Sequence, residues 1–429
     1  MRSFEKSQAY LERAEKVIPL GSQTFSKSRT QYPIGVSPFF ITHGQGSRVW
    51  DLDGNEYIDF VSSLASITLG YQDPDVNQAV RSQLDESGVI FSLPHPLETA
   101  VAEMLCEMVP CAEMVRFGKN GSDATAGAIR VARAFTGRDR VAVCGYHGWQ
   151  DWYIGSTARH LGVPNAVRDL THTFKYNDLA SLDTLLSAHP GEFAAVILEP
   201  MNVIEPASGF LAGTKELAEK HGAVLVFDET ITGFRYANGG AQELFGVTPH
   251  LATFGKGLAN GYPISAIVGR RDIMKTMEDI FFSFTFGGEA LSLAAAKATL
   301  TKLRSAPVVQ TLTAHGRKIM AGLSDIIETH QLGDIFGTSG HPTWSFLNIK
   351  DGRGVNAFEI KTLWMQEMHQ RGILSVGTHN VSYAHRDSDI DALLQAYREV
   401  LPYIGDVLSK GQLTSVLRCE PLVPLFKVR

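Results

Sequence analysis

The run Val224-Leu225-Val226-Phe227 is apolar on both faces of an extended strand and then stops abruptly at Asp228 and Glu229. A strand with no polar face must be covered on both sides, which is the pattern of a parallel sheet flanked by helices. Open sheets of this kind keep their ligands at the carboxyl ends of the strands, so Asp228 is expected at that edge. Similar short apolar segments, Val141–Cys144, Ala194–Leu198 and Ile264–Val268, alternate with amphipathic stretches between about residues 65 and 305. This rhythm predicts an α/β fold whose large, mostly parallel sheet is covered by helices on both faces.

A chain of 429 residues exceeds one ordinary core, and a hydrophobic fraction of 44% is enough for two. The expected division is a large domain over residues 61–305 and a smaller α+β domain made from residues 1–60 and 306–429. Within the smaller one, Val49 to Phe60 reads as a hairpin and Thr343 to Ile349 as a strand. Ser388 is expected to cap a helix burying Ile390, Leu393, Leu394, Tyr397, Val400 and Leu401. Tyr10, Ala14, Val17 and Ile18 fall on one face of an N-terminal helix, and the apolar tail from Cys419 to Arg429 predicts burial against the body or a partner subunit.

Lys256 lies between two glycines in Phe254-Gly255-Lys256-Gly257, 28 positions after Asp228. A lysine forms a Schiff base with an aldehyde only as a neutral amine, and a desolvated position beside another cation favours that state. Gly255 and Gly257 let backbone approach a ligand closely. A buried carboxylate such as Asp228 holds a pyridine nitrogen protonated, which turns the ring into an electron sink. Taken together, Asp228 and Lys256 read as two contacts of a pyridoxal 5′-phosphate (PLP) site.

The phosphate has a candidate cradle. In Lys119-Asn120-Gly121-Ser122-Asp123 a strand gives way to a polar loop, and helical spacing follows through Ala128, Ile129, Val131, Ala132 and Ala134. Ser122 or Asp123 is placed to cap that helix, whose N-terminal N–H groups and dipole make an anion site. Further on, the apolar segment Val141–Cys144 ends in Gly145-Tyr146-His147-Gly148, where Tyr146 is expected to stack on the pyridine ring.

These blocks, with Phe227 to Arg235, Phe254 to Lys256 and Ser283 to Glu289, resemble the class III (subgroup II) aminotransferases of PLP fold type I, the aspartate aminotransferase-like fold. Within that class they are similar to the relatives of glutamate-1-semialdehyde 2,1-aminomutase. The similarity runs from about Ile18 to near Ser409. It implies that Lys256 is the Schiff-base lysine and Asp228 the pyridine partner. It also implies Asn120, Gly121 and Ser122 around the phosphate, Tyr146 and His147 at the ring, and Glu199 as an acid beside the cofactor. Thr285 would reach the phosphate of the neighbouring subunit in a homodimer. Thr230 stands where the family usually packs Val or Ile, so its hydroxyl needs a partner if buried.

The activity implied is transfer of an amino group from an amino acid, by family habit L-glutamate, to an aldehyde or ketone. The alternative is an intramolecular aminomutase or an epimerase using the same residues. Lys27 falls where the aminomutases carry a carboxylate-binding arginine, and lysine lacks the bidentate fork. The aminomutases' C-terminal glutamate is also replaced within Ser375 to Ser382. Thr24, Ser26, His379 and Asn380 offer hydrogen bonds to a hydroxyl-rich acceptor such as an oxidised sugar or aminocyclitol.

Other functions are disfavoured. A net charge of −6 with no Lys/Arg cluster gives no field for nucleic acid. No apolar run approaches membrane-spanning length, and the charged residues Arg2 to Lys16 do not read as a signal peptide. Cys106, Cys111, Cys144 and Cys419 show no C-x-x-C spacing, which favours reduced thiols and a cytoplasmic location. The carboxylates at Asp51 and Asp53 miss calcium-loop spacing, no His set has zinc spacing, and Gly255 to Gly261 is too long for a dinucleotide fingerprint.

Overall fold

A computed structural model describes residues 2–423. The chain divides into a large compact unit, residues 65–67 and 74–309, and a smaller one, residues 2–64, 68–73 and 310–423.

The large unit is built on a seven-stranded sheet. From one edge its strands are Met114–Gly118, Ser265–Gly269, Leu251–Phe254, Val224–Asp228, Phe193–Leu198, Arg140–Cys144 and Thr171–Thr173. The last five run parallel, whereas Ser265–Gly269 pairs antiparallel with both of its neighbours. Every residue of Val224–Asp228 and of Phe193–Leu198 is buried, as expected for strands covered on both faces. Val224 and Val226 share a core with Val141, Val143, Ala195, Ile197, Leu251 and the helix Gly121–Thr136. That helix presents Ala124, Ala128, Val131 and Ala132, small or β-branched side chains that bring its axis close to the sheet. Each buried Val or Leu here contributes about 1.5–3 kcal/mol.

The smaller unit carries two sheets. The hairpin strands Arg48–Asp51 and Glu56–Asp59 join Ile41–Gln45 and the short strand Ile373–Leu374. Phe336–His341, Trp344–Ile349 and Thr378–His379 form the second. The helix Asp387–Ser409 buries all six residues expected on its apolar face.

Three local expectations are corrected. Ser388 lies inside the first turn of that helix, and Arg386 is the N-cap, with Asp389 accepting from the Arg386 N–H. The helix Gly121–Thr136 is capped by Asn120 rather than Ser122 or Asp123, and Ala134 on its last turn is exposed. The N-terminal helix, Glu5–Glu15, buries Ser7, Leu11 and Ala14 while Tyr10 and Val17 are exposed, because the helix ends before Val17 and its stripe falls one position over. In the tail, the Leu422 N–H donates to Thr362 Oγ1 and its side chain is buried; Pro424 to Arg429 lie outside the described residues. Among the described residues no helix is long and apolar enough to cross a membrane.

Candidate active site

Parallel strands bring their carboxyl ends to one edge, so residues far apart in the chain meet there. Asp228 pairs in register with Thr253, two strands away Cys144 leads into Gly145-Tyr146-His147, and Glu199 follows Leu198 between them. Lys256 comes two residues after Phe254. Around these ends is a cavity of about 300 Å³ lined by Asn120, Gly121, Ser122, Thr125, Tyr146, His147, Gly148, Trp149, Glu199, Asp228, Thr230, Ile231 and Lys256. All of them belong to the large unit.

Asp228 is 4% exposed and has a partner for each carboxylate oxygen. His147 Nδ1 lies 2.9 Å from Oδ2. Thr230 donates to Oδ1 from its hydroxyl at 2.6 Å and its backbone N–H at 3.1 Å, and Thr253 Oγ1 adds a bond at 3.2 Å. Burial pushes this carboxyl up, but the bond and charge of His147 and the Thr230 bonds outweigh it and hold the group below its ordinary value. An ionised carboxylate only accepts, so His147 Nδ1 must be the donor. Its other nitrogen, Nε2, is buried and finds no hydrogen-bond partner among the described residues.

The anion cradle is the first turn of Gly121–Thr136. Asn120 accepts from the Asp123 N–H at 3.1 Å, and Asp123 accepts from the Lys119 and Asn120 N–H groups at 2.9 and 3.0 Å. This reciprocal cap fixes the loop while the positive helix end borders the cavity. Gly148 closes the other side with φ of +102°, and a Cβ there would overlap Ser122 Oγ, so only glycine fits. Ser122 Oγ accepts from the Trp149 N–H at 3.2 Å, and Thr125 Oγ1 donates to the His147 carbonyl at 2.8 Å.

Glu199 Oε2 accepts from the Tyr146 N–H and from Asn202 Nδ2, both at 2.9 Å, which fixes the backbone that carries the Tyr146 ring. Tyr146 itself stands edge-on to Tyr153 at 5.7 Å. Lys256 is half-buried with φ of +36°, a conformation that non-glycine residues rarely adopt and that marks local strain at a site.

Ten expected cofactor contacts therefore divide nine to one: Asn120, Gly121, Ser122, Tyr146, His147, Glu199, Asp228, Thr230 and Lys256 line one cavity, while Thr285 is exposed and does not. Sequence reasoning missed Thr125, Gly148 and Thr253; the Gly in Tyr146-His147-Gly148 was the one available signal. The five residues expected toward the substrate, Thr24, Ser26, Lys27, His379 and Asn380, all belong to the smaller unit. Thr24 Oγ1 accepts from the Ser26 N–H, and Lys27 Nζ lies 3.5 Å from Ser63 Oγ. The expectation for His379 is overturned: it is fully buried, with Nδ1 on Ser345 Oγ at 2.9 Å and Nε2 on the Tyr397 hydroxyl at 2.7 Å, so neither nitrogen is left for a substrate. Asn380 is also buried; one N–H of its amide donates to the Val61 carbonyl at 2.7 Å, and its Oδ1 finds no hydrogen-bond partner among the described residues.

A phosphorylated pyridine aldehyde needs an anion site, an ionised acid for its ring nitrogen and an amine. The cavity has the helix end at Gly121, the buried carboxylate of Asp228 and Lys256 on its wall, so the residues fit PLP. The chain matches the class-III aminotransferase family over residues 31–399 and belongs to it. It is a PLP-dependent aminotransferase of fold type I. Among its relatives, the 3-aminobutyryl-CoA aminotransferase of Cloacimonas acidaminovorans (strain Evry) is 35% identical over 94% of this chain and 98% of its own. The glutamate-1-semialdehyde 2,1-aminomutase of Syntrophobacter fumaroxidans (strain DSM 10017 / MPOB) is also 35% identical, over 91% and 96%. The PLP internal aldimine form of the FumI protein of Sphingopyxis sp. MTA144 superposes with a TM-score of 0.87 at 31% identity, covering 96% and 99%.

Proposed function

We propose that this enzyme moves an amino group from L-glutamate to an uncharged aldehyde or ketone, with an oxidised sugar or aminocyclitol as the hydroxyl-rich case. The observation that carries the reading is the convergence of Lys256, Asp228 and the Gly121 helix end on one cavity. When bound there, PLP supplies the sink for the electrons released as a substrate C–H bond breaks. Gly121 and Ser122 bind the phosphate, with Asn120 fixing their loop. Tyr146 packs on one face of the ring and Thr230 on the other. Asp228 holds the proton at the ring nitrogen, and His147 orients Asp228.

Lys256 would hold the cofactor through its aldehyde until the donor arrives. Released when the donor's amine takes its place, its Nζ would take the proton from the amine-bearing carbon and carry it, on the face where the lysine lies, to the former aldehyde carbon. One lysine serves both directions because it stays beside the reacting carbon, and well-oriented proximity of this kind reaches roughly 7–11 kcal/mol. Thr285, exposed on its segment, is available to meet the neighbour's phosphate in a homodimer.

Support for an uncharged acceptor comes from charge. Lys27 replaces the forked arginine of the aminomutases. A second cavity of about 560 Å³, also bordered by Glu199, is lined by Tyr153, Thr157, Phe174, Asn202 and Ile204 among others, and no Arg, Lys or His is among them. Thr24 and Ser26 remain for a hydroxylated acceptor, whereas His379 does not.

The test is a half-reaction. L-glutamate added to the PLP-loaded protein should bleach the yellow band and release one equivalent of 2-oxoglutarate per site, and the resulting amino form should then aminate uncharged aldehydes faster than keto acids. A band that survives glutamate, with amino transfer found only within a single substrate molecule, would establish the aminomutase reading that the 35% identity to such an enzyme supports.

A further inference from the structure

Thr230 occupies the position where valine or isoleucine was expected, and its surroundings give the difference a purpose. Its methyl group is wedged between two glycines. A Cβ on Gly121 would come within 3.0 Å of Thr230 Cγ2, and one on Gly255 within 3.4 Å. The methyl thus faces both glycine backbones in the rotamer the structure holds. In that rotamer the hydroxyl points at Asp228 Oδ1 and lies 2.6 Å away. This is the shortest of the carboxylate's bonds and falls in the range of a charge-assisted O–H···O⁻ contact.

Because an ionised carboxylate has no proton to give, Thr230 is the donor. Valine has the same shape and would fill the same space between the glycines, but it would remove this bond. The methyl therefore explains the packing, and the hydroxyl is left to act on Asp228 alone.

We infer that Thr230 is a positioning residue that acts through Asp228, its hydroxyl keeping the shared proton on the cofactor's ring nitrogen instead of on the carboxylate. This rests on the reading of Asp228 as the ring nitrogen's partner. A proton between two bases resides on the more basic, and every donor on Oδ1 makes the carboxylate less basic. His147 does the same from Oδ2. The consequence is a cofactor held in its electron-withdrawing form by a residue that need not touch the nitrogen.

The experiment uses the holoenzyme reconstituted with PLP labelled with ¹⁵N in the ring and reads the ¹⁵N chemical shift in wild type, Thr230→Val, Thr230→Ser and Asp228→Asn. Thr230→Val should move the shift toward the unprotonated ring, reflecting a rise of about tenfold in the proton affinity of Asp228, equivalent to one pH unit. Thr230→Ser keeps the hydroxyl and loses the methyl, so it should stay at the wild-type shift. A Thr230→Val shift equal to wild type, while Asp228→Asn moves it, would overturn the inference. Equal displacement by the valine and serine variants would also overturn it, by assigning the effect to packing. If Asp228→Asn leaves the shift unchanged, the pairing of Asp228 with the ring nitrogen itself fails.

Discussion

Two buried polar clusters in this protein each centre on a titratable side chain and differ in what they leave open. Asp228, at the end of a central strand of the large unit, is surrounded by His147, Thr230 and Thr253, and the cluster lines a cavity. His379, in the smaller unit, lies between Ser345, its partner across the strand pair, and Tyr397 on the helix Asp387–Ser409. The first cluster keeps one nitrogen, His147 Nε2, without a hydrogen-bond partner among the described residues; in the second both ring nitrogens of the histidine are satisfied. Burying polar groups is tolerated only when they are paired, so burial by itself reports partners and not function. The informative feature is a paired cluster that also borders empty volume.

Ionisation sharpens the same contrast. Asp228 is held ionised against its burial by the donors around it. Its neighbour Glu229 is equally buried and caps the helix Ala241–Phe245 through the Ala241 and Gln242 N–H groups, with Gln242 Nε2 and Thr232 Oγ1 adding bonds. There burial prevails and the carboxyl is raised. His379 is pushed down to about 3 by burial, which keeps it neutral.

The largest expected effect is on the cavity side. On the role proposed for Lys256, Lys256→Ala should lower turnover by roughly 10⁴-fold or more, since it would remove proton transfer and the covalent hold on the cofactor together. Retention of turnover in that variant would break the contrast outright. Next, Gly148→Ala should weaken PLP binding by about tenfold or more, because the new Cβ overlaps Ser122 Oγ at a positive φ; equilibrium titration of the cofactor-free protein measures it.

The smallest catalytic effect is expected in the other cluster. His379→Phe should leave the glutamate half-reaction within about twofold while costing about 1–3 kcal/mol of stability through the unpaired Ser345 and Tyr397 hydroxyls. Its pH dependence has a definite sign. The folded-state value of about 3 lies below the ordinary 6.5, so the unfolded chain binds a proton that the fold refuses. The contribution of His379 is complete above about pH 6.5 and declines as pH falls toward 3, by at most about 1.4 kcal/mol per unit. Denaturant midpoints at pH 7 and pH 5 should therefore converge in the variant relative to wild type. An equal acid dependence in both would remove the buried histidine from the account.

Much of the large sheet could be read from the chain because a strand buried on both faces announces itself by composition alone, as Val224–Phe227 does. Lys256 and Asp228 were legible as a pair since each follows a short apolar strand. Caps were less so: Asn120, Ser122 and Asp123 are all good capping residues, and which one serves depends on where the backbone leaves the strand. His379 was misread for a deeper reason. Its partners lie 34 positions before it and 18 after it, and nothing in the local pattern distinguishes a satisfied histidine from one that awaits a ligand.

By itself the sequence determined the α/β class, the carboxylate and lysine at adjoining strand ends, and the glycines without which the loops could not close. These follow from local rules, namely side-chain alternation, helix propensity and backbone sterics. Only the tertiary structure decided which polar atoms are left over once the fold has paired the rest. Hydrogen-bond satisfaction is a property of the whole neighbourhood: the same hydroxyl at position 230 would be a cost in an apolar wall and is a donor here because Asp228 lies 2.6 Å away.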